Sequence, residues 1–196
     1  MKLFLVRHGQ TTANQQKIYA GQTDVLLTEQ GRQEAEAIRP ILEKFTFDRV
    51  YSSDLTRALD TQKLALPGAT AIQTPLLREF DEGRLVGMSF AEVQALTDDN
   101  YRRRRDYTPY NGENADMVCA RLRQFLSILE ADPCDTAIAF AHNGIMNMTG
   151  GTIIGNKVQS GVSGAGICTT GINETKNGVK TTRPSKIEMY GGTIAD

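Results

Sequence analysis

The sequence predicts an α/β protein: a mostly parallel sheet flanked by helices on both faces. Three observations lead there. Short apolar runs alternate with longer segments of helical periodicity along most of the chain. One run, "DTAIAFAH" (Asp135 to His142), is almost continuously apolar, as a strand covered on both faces must be. The only two histidines in 196 residues stand at the ends of such runs, His8 just past Arg7 after the first and His142 closing the fourth. That places both at the carboxyl ends of strands, the edge where open α/β sheets bind their ligands.

The elements follow in order. Lys2 to Val6 is a short buried strand, with an aromatic and a β-branched residue among few polar ones. "TEQGRQEAEAIRPILEKF" is a helix capped by Thr28, with Ala35, Ile38, Leu42 and Phe45 on one face, its regularity strained by Gly31 and Pro40. "DRVYSS" is a second strand. "SDLTRALDTQKLAL" is a helix with Ser53 or Asp54 as N-cap, stopped by Pro67-Gly68. "ATAIQT" is a third strand, and Ser89 with Glu92 forms a capping box for a helix to Leu96. "NADMVCARLRQFLSILEAD" is the clearest amphipathic helix, its stripe formed by Val118, Leu122, Phe125 and Leu129. After the fourth strand, "DTAIAFAH", a helix is expected through Ile145 to Ile154. Two weaker strands, Gly166 to Ile172 and Ser185 to Tyr190, are expected around an Asn177-Gly178 turn.

Length and composition bound the function. The chain is long enough for one domain, residues 1–196, with a sizeable core. A net charge of -1 gives no general attraction to nucleic acid or to an anionic membrane, and neither is expected as a partner. No apolar run approaches a membrane span and no secretory signal is visible. Three sparse cysteines without CxxC spacing argue against a disulfide framework or a thiolate metal site. Reduced thiols and a cytoplasmic location are the simplest reading. A homodimer paired through the late strands is left open.

The chemistry gathers around "LFLVRHGQTTAN". Arg7 and His8 stand side by side, and a guanidinium fork binds phosphate or carboxylate through paired hydrogen bonds. Gly9 lets the backbone turn after His8. The segment from Gln10 to Asn14 starts a helix whose free N–H groups would add to an anion site. Arg57 follows the second strand and should lie near the same edge. Histidine can attack a phosphate ester and form a phosphohistidine. That reaction needs cations around the phosphoryl oxygens and an acid for the leaving alkoxide. Two arginines, a second histidine and one carboxylic acid meet those needs without a metal. No HxH or HxxxH spacing points to a metal site, and no cofactor is expected.

"LFLVRHGQTTAN" resembles the signature of the histidine phosphatase superfamily, the phosphoglycerate mutase-like family. "GQTDVLLTEQGRQEA", "VYSSDLTRALDT", "LLREFDEGRLVGMS", "NGEN" and "AIAFAHNGI" match in the expected order, over residues 2 to about 155. The resemblance implies that His8 is the nucleophile and that Arg7, Arg57 and His142 bind the transferred phosphoryl group. It implies that Thr11 and Asn14 contact or position phosphate, that the backbone N–H of Asn143 faces the site, and that Glu79 is the candidate proton donor. The chain departs from the family pattern in places. Glu82 stands where an aromatic residue is usual and adds a second carboxylate beside Glu79. Val86 replaces a frequent Glu, Asn143 the first glycine of "HGG", and Asn114 a usual Ser. The late Asn has no counterpart around Ser163 to Gly166.

The expected activity is hydrolysis of small phosphate monoesters. The family's mutases carry a longer insertion between the acid and the second histidine, and a compact lid admits water. A 2,3-bisphosphoglycerate-dependent mutase is the alternative, and a phospho-ligand binding protein without turnover is a third. The run Arg102 to Arg105 bears on that choice. It is either a solvated helix end neutralised by Asp98, Asp99 and Asp106, or a grip on a second anionic group of the substrate. Tyr101, Tyr107 and Tyr110 either line a pocket or pack under a lid. The optimum is expected to be acidic to neutral, because His8 must be neutral to attack while the acid must hold its proton.

Overall fold

In the computed structural model the described residues are 1–97, 105–132 and 134–146, together with the backbone of four later strands. The strands are β1 (Lys2–Arg7), β2 (Arg49–Ser53), β3 (Ile72–Thr74), β4 (Thr136–Ala141), β5 (Thr152–Ile154), β6 (Ile172–Lys176), β7 (Val179–Arg183) and β8 (Met189–Tyr190). The helices are α1 (Thr12–Gln16), α2 (Glu29–Ala37), α3 (Arg39–Leu42), α4 (Thr56–Ala65), α5 (Phe90–Leu96) and α6 (Ala115–Ala131). The main sheet has the order β3-β2-β4-β1-β5-β8, and each of its described pairings is parallel. No helix among the described residues is long and apolar enough to cross a membrane.

β4 shows how the sequence divides two cores. Its side chains alternate between faces, as strand geometry requires. Ala137, Ala139 and Ala141 face one cluster, with Tyr51, Val118, Phe125 and Leu129. Ile138 and Phe140 face the other, with Phe4, Val6, Leu42 and Ala65. The three alanines are small because α6 lies over them with Phe125 and Leu129, 2% and 1% exposed. A sheet with both faces covered explains the unbroken apolar run.

Pro40 has the effect its chemistry demands. α2 stops at Ala37, and α3 begins at Arg39 with the proline in its first turn, where a missing N–H costs nothing. Phe45 is left outside the helix, half-exposed, with its ring 4.8 Å from that of Phe4. The Ser89–Glu92 capping box forms as expected. Asn114 caps α6, its Oδ1 accepting from Met117 N at 3.0 Å, so Asn in place of Ser preserves the cap.

Three expectations are corrected. At its two described ends the helix expected over Ile145 to Ile154 is instead a 3₁₀ turn, Gly144–Met146, and the strand β5, while residues 147–151 lie outside the described residues. The run Thr152-Ile153-Ile154 is β-branched throughout and fills the open edge of β1. Second, α4 is not capped by Ser53 or Asp54. Its N-cap is Leu55, and Asp24 reaches in from outside to accept from Thr56 N at 2.8 Å. Ser53 and Asp54 are held by His142 and Arg78 instead. Third, the late hairpin is β6 with β7, paired antiparallel from Lys176↔Val179 outward, while β8 joins the main sheet beside β5. The expected turn residues, Asn177 and Gly178, lie outside the described residues, and the two paired strands lie closer to them than expected. Positions 166–171 and 185–188 of the expected strands lie outside the described residues.

Phe140 is fully buried in the central strand. Phe140→Ala is expected to cost about 3–5 kcal/mol of unfolding free energy in urea titration, by lost transfer and by the cavity left behind.

Candidate active site

Strand pairing builds the site. β1 and β4 are adjacent and parallel, with Arg7 opposite Ala141. The residues just beyond, His8 and His142, therefore emerge side by side, tied by His8 N–H donating to Ala141 O at 3.0 Å. Their ring centroids are 5.1 Å apart. β2 lies on the other side of β4, so Ser53 at its end reaches His142.

Hydrogen-bond partners fix both tautomers. His8 Nδ1 lies 2.7 Å from Gly9 O, and a carbonyl only accepts, so Nδ1 carries the proton. Burial, then Arg57 and Arg7, push its pKa down to about 3, so the ring is neutral and Nε2 keeps its lone pair. His142 Nδ1 accepts from Arg57 Nε at 3.2 Å, and its Nε2–H donates to Ser53 Oγ at 2.9 Å. Burial, then His8 and Arg57, hold His142 well below the usual histidine range.

The two arginines differ. Arg57, on α4, is buried, 2% exposed. Besides His142 it donates Nη2–H to Gly21 O at 2.7 Å and Nη1–H to Thr23 O at 2.9 Å, leaving two of its five N–H groups for a ligand. Arg7 is exposed, and among the described residues its guanidinium has no hydrogen-bond partner. A fixed cation and an open one thus flank an uncharged imidazole.

Glu79 completes the cluster. Its Oε2 accepts from Gly144 N, two residues after His142, and its Oε1 from Phe80 N, both at 3.0 Å. Its own carbonyl accepts from Gln22 Nε2 and Arg121 Nη2, both at 3.0 Å. Arg121 is paired with Glu113, which also accepts from Asp81 N at 2.9 Å. The glutamate of "NGEN" is therefore a strut under the Glu79 loop.

The loop after His8 departs from expectation. Gln10 N–H donates to Glu34, Thr11 N–H to Asn14 Oδ1, Thr12 N–H to Leu26 O and Asn14 N–H to Thr11 Oγ1. These amides are satisfied within the protein and offer no open anion site. Thr11 is buried and Asn14 exposed, and together they form the capping box of α1. Gly9 is glycine for want of space: a Cβ there would lie 2.2 Å from Gly31 O, and one at Gly31 2.0 Å from Gln10 O. The helix α2 and the His8 loop meet backbone to backbone. Asn143 is exposed next to His142. From the arginine run, Arg105 donates to Gly144 O at 2.6 Å and lies over the Phe80 ring, so it is docked on the site's own loop. Tyr107 packs edge-on against Phe80. Residues 98–104, Tyr101 and Arg102 to Arg104 among them, lie outside the described residues.

Thr61 was missed by sequence reasoning: its Oγ1 accepts from Gly9 N at 3.1 Å and donates to Arg57 O at 2.7 Å. So was the Ser53 contact. Both sit inside the segment "SSDLTRALDT", four residues either side of Arg57, and that spacing was the available signal. Arg121 carries no such signal.

A parallel α/β sheet that sets two buried neutral histidines between arginines and a carboxylate defines a phosphoryl-handling site. The family model of the histidine phosphatase superfamily (branch 1) matches residues 3–181, and the chain belongs to that family. It is 31% identical over 156 residues to the adenosylcobalamin/alpha-ribazole phosphatase of Salmonella typhi, spanning 76% of this chain and 77% of that one. It is 37% identical over 133 residues to the 2,3-bisphosphoglycerate-dependent phosphoglycerate mutase 2 of Gloeobacter violaceus, 63% and 61% of the two chains. The structure of a mycobacterial glucosyl-3-phosphoglycerate phosphatase with VO3 superposes with a TM-score of 0.66 at 32% identity, covering 73% of this chain and 76% of that one.

Two outcomes are expected. Gly31→Ala, which in an open helix would stabilise by about 1 kcal/mol, should instead destabilise by about 1–3 kcal/mol in urea unfolding, because the new methyl meets backbone. His8 binds its proton less readily folded than unfolded. Below the unfolded value near 6.5 the unfolded chain takes up the extra proton, so stability falls with pH, down to about pH 3. In phosphate-free buffer, the unfolding free energy of wild type relative to His8→Asn should drop by about 1.4 kcal/mol per pH unit below 6.5 and stay flat above it.

Proposed function

We propose that this chain is a metal-independent phosphatase of small phosphate monoesters, working through a phosphohistidine on His8. The observation that carries the reading is the neutral His8 ring, its Nδ1 tied to Gly9 O, set between the open guanidinium of Arg7 and the fixed one of Arg57.

His8 Nε2 attacks phosphorus as the ester P–O bond breaks. Arg7 and the two remaining N–H groups of Arg57 hold the phosphoryl oxygens, where negative charge spreads in the transition state, while His142, its ring nitrogens taken by Arg57 and Ser53, fixes the Arg57 guanidinium in place. The Nδ1 proton of His8 stays on Gly9 O's side, and the bond to that carbonyl offsets the charge the ring acquires. Glu79 gives its proton to the leaving oxygen. The Glu79 carboxylate then takes a proton from water, water oxygen attacks phosphorus, and the P–N bond breaks to release inorganic phosphate. Thr11 and Asn14 support the loop through the α1 cap, and the backbone of Asn143 borders the phosphoryl position.

The similarity to a mutase favours a second reading, in which the phosphoryl group returns to phosphoglycerate. Interconversion of 2- and 3-phosphoglycerate without phosphate release would establish it.

With p-nitrophenyl phosphate and EDTA present, turnover should persist in wild type and vanish in His8→Ala. Quenched wild type should carry an acid-labile, alkali-stable phosphoryl group on His8. Loss of turnover with EDTA, or turnover in His8→Ala, overturns the reading. Arg7→Ala should lower kcat/KM by about 10²–10³. Glu79→Gln should cost about 10²–10⁴ with an alkyl phosphate, whose leaving group needs a proton, and far less with the nitrophenyl ester.

A further inference from the structure

Glu82 lies in the Glu79 loop, and its carboxyl group is hydrogen-bonded to backbone. Oε2 accepts from Gly21 N–H at 2.7 Å. The carbonyl of the same residue, Gly21, accepts from Arg57 Nη2 at 2.7 Å. Gly21 sits at φ +48, and a Cβ there would lie 2.9 Å from Val86 Cγ2 and 3.5 Å from Glu82 Cβ. The Gly21 turn is thus seated directly on the segment that carries Glu82. Only two hydrogen bonds separate the Glu82 carboxyl from the guanidinium that backs His142.

We propose that Glu82 is a positioning residue for the phosphate cradle: it grips Gly21, the grip orients Arg57, and the charge on its carboxyl sets how tightly phosphate is held. The inference rests on the phosphatase reading of this site. Three charged groups act on Glu82 beyond the Gly21 amide: Glu79 and Asp81 on its own loop, and Arg57 from α4. Burial, then Glu79, push its pKa up to about 8, against the Gly21 bond and Arg57. Near neutrality the carboxyl is therefore protonated, and its carbonyl oxygen still accepts from Gly21. Above that value the carboxyl loses its proton to solvent. The grip survives, but a negative charge now stands beside Glu79 and close to the arginine that a phosphate dianion must share. Phosphate binding weakens as pH rises through the titration.

The test is binding of inorganic phosphate by calorimetry at pH 7.5 and pH 9, with wild type, Glu82→Gln and Glu82→Ala. Phosphate is chiefly the dianion at both values. Wild type should bind about fourfold more weakly at pH 9, which is what one pKa unit of coupling gives over this span for a group titrating near 8. Glu82→Gln keeps the acceptor and cannot ionise. It should bind like wild type at pH 7.5 and lose most of the alkaline weakening. Glu82→Ala loses the grip but also the charge, and should bind about tenfold more weakly than wild type at pH 7.5, the equivalent of one pKa unit, with little further weakening at pH 9. Equal alkaline weakening in wild type and Glu82→Gln overturns the proposal, as does wild-type affinity in Glu82→Ala at pH 7.5. Absence of phosphate binding by wild type at either pH overturns the phosphatase reading itself and this inference with it.

Discussion

One hydrogen bond, from His8 N to Ala141 O, closes the ladder on which the site depends. It is the last rung of the β1–β4 pairing, and it sets the two histidines at one height on the sheet edge. A slip of one residue would turn every side chain of β1 to the opposite face, exchanging Phe4 and Val6 with Leu3 and Leu5. The two cores forbid that slip. The hydrophobic pattern that makes the strand therefore also fixes where His8 stands.

Around this pair the protein spends its polar groups on orientation. Arg57 is anchored by two carbonyls, His142 by Arg57 and Ser53, Gly9 by Thr61, and Glu79 by Gly144. Arg7 alone among these groups lacks a hydrogen-bond partner in the described residues. A site organised so has little to rearrange when charge develops, which is the condition for electrostatic catalysis. The shared burial also keeps both imidazoles neutral, so the nucleophile is available across a wide pH range.

Much of this was legible in the sequence, because it is written in periodicity and strand ends. The continuous apolar run from Thr136 to Ala141 named a central strand, and the histidine after it named the edge. Its place after the second strand put Arg57 near the same edge, and the family resemblance gave it a role and added Glu79. What escaped was long-range. That Glu113 and Arg121 brace Glu79 depends on how α6 docks on the sheet, and that Asp24 caps α4 depends on a turn from an earlier segment. The end of the helix expected after His142 failed for a related reason: a stretch as short as Thr152 to Ile154 suits a helix or a strand, and only the open edge of β1 decides between them.

The Gly9–Gly31 contact has a mechanical meaning. Backbone meets backbone there with no side chain between them. No rotamer can take up slack at such a contact, so the nucleophile's loop cannot drift independently of α2. A load on the outer face of that helix, whether from a neighbouring molecule or from an attached tag, is handed to the nucleophile undamped. A helix that supplies no side chain to the chemistry is thus tied by its backbone to the loop that carries the nucleophile.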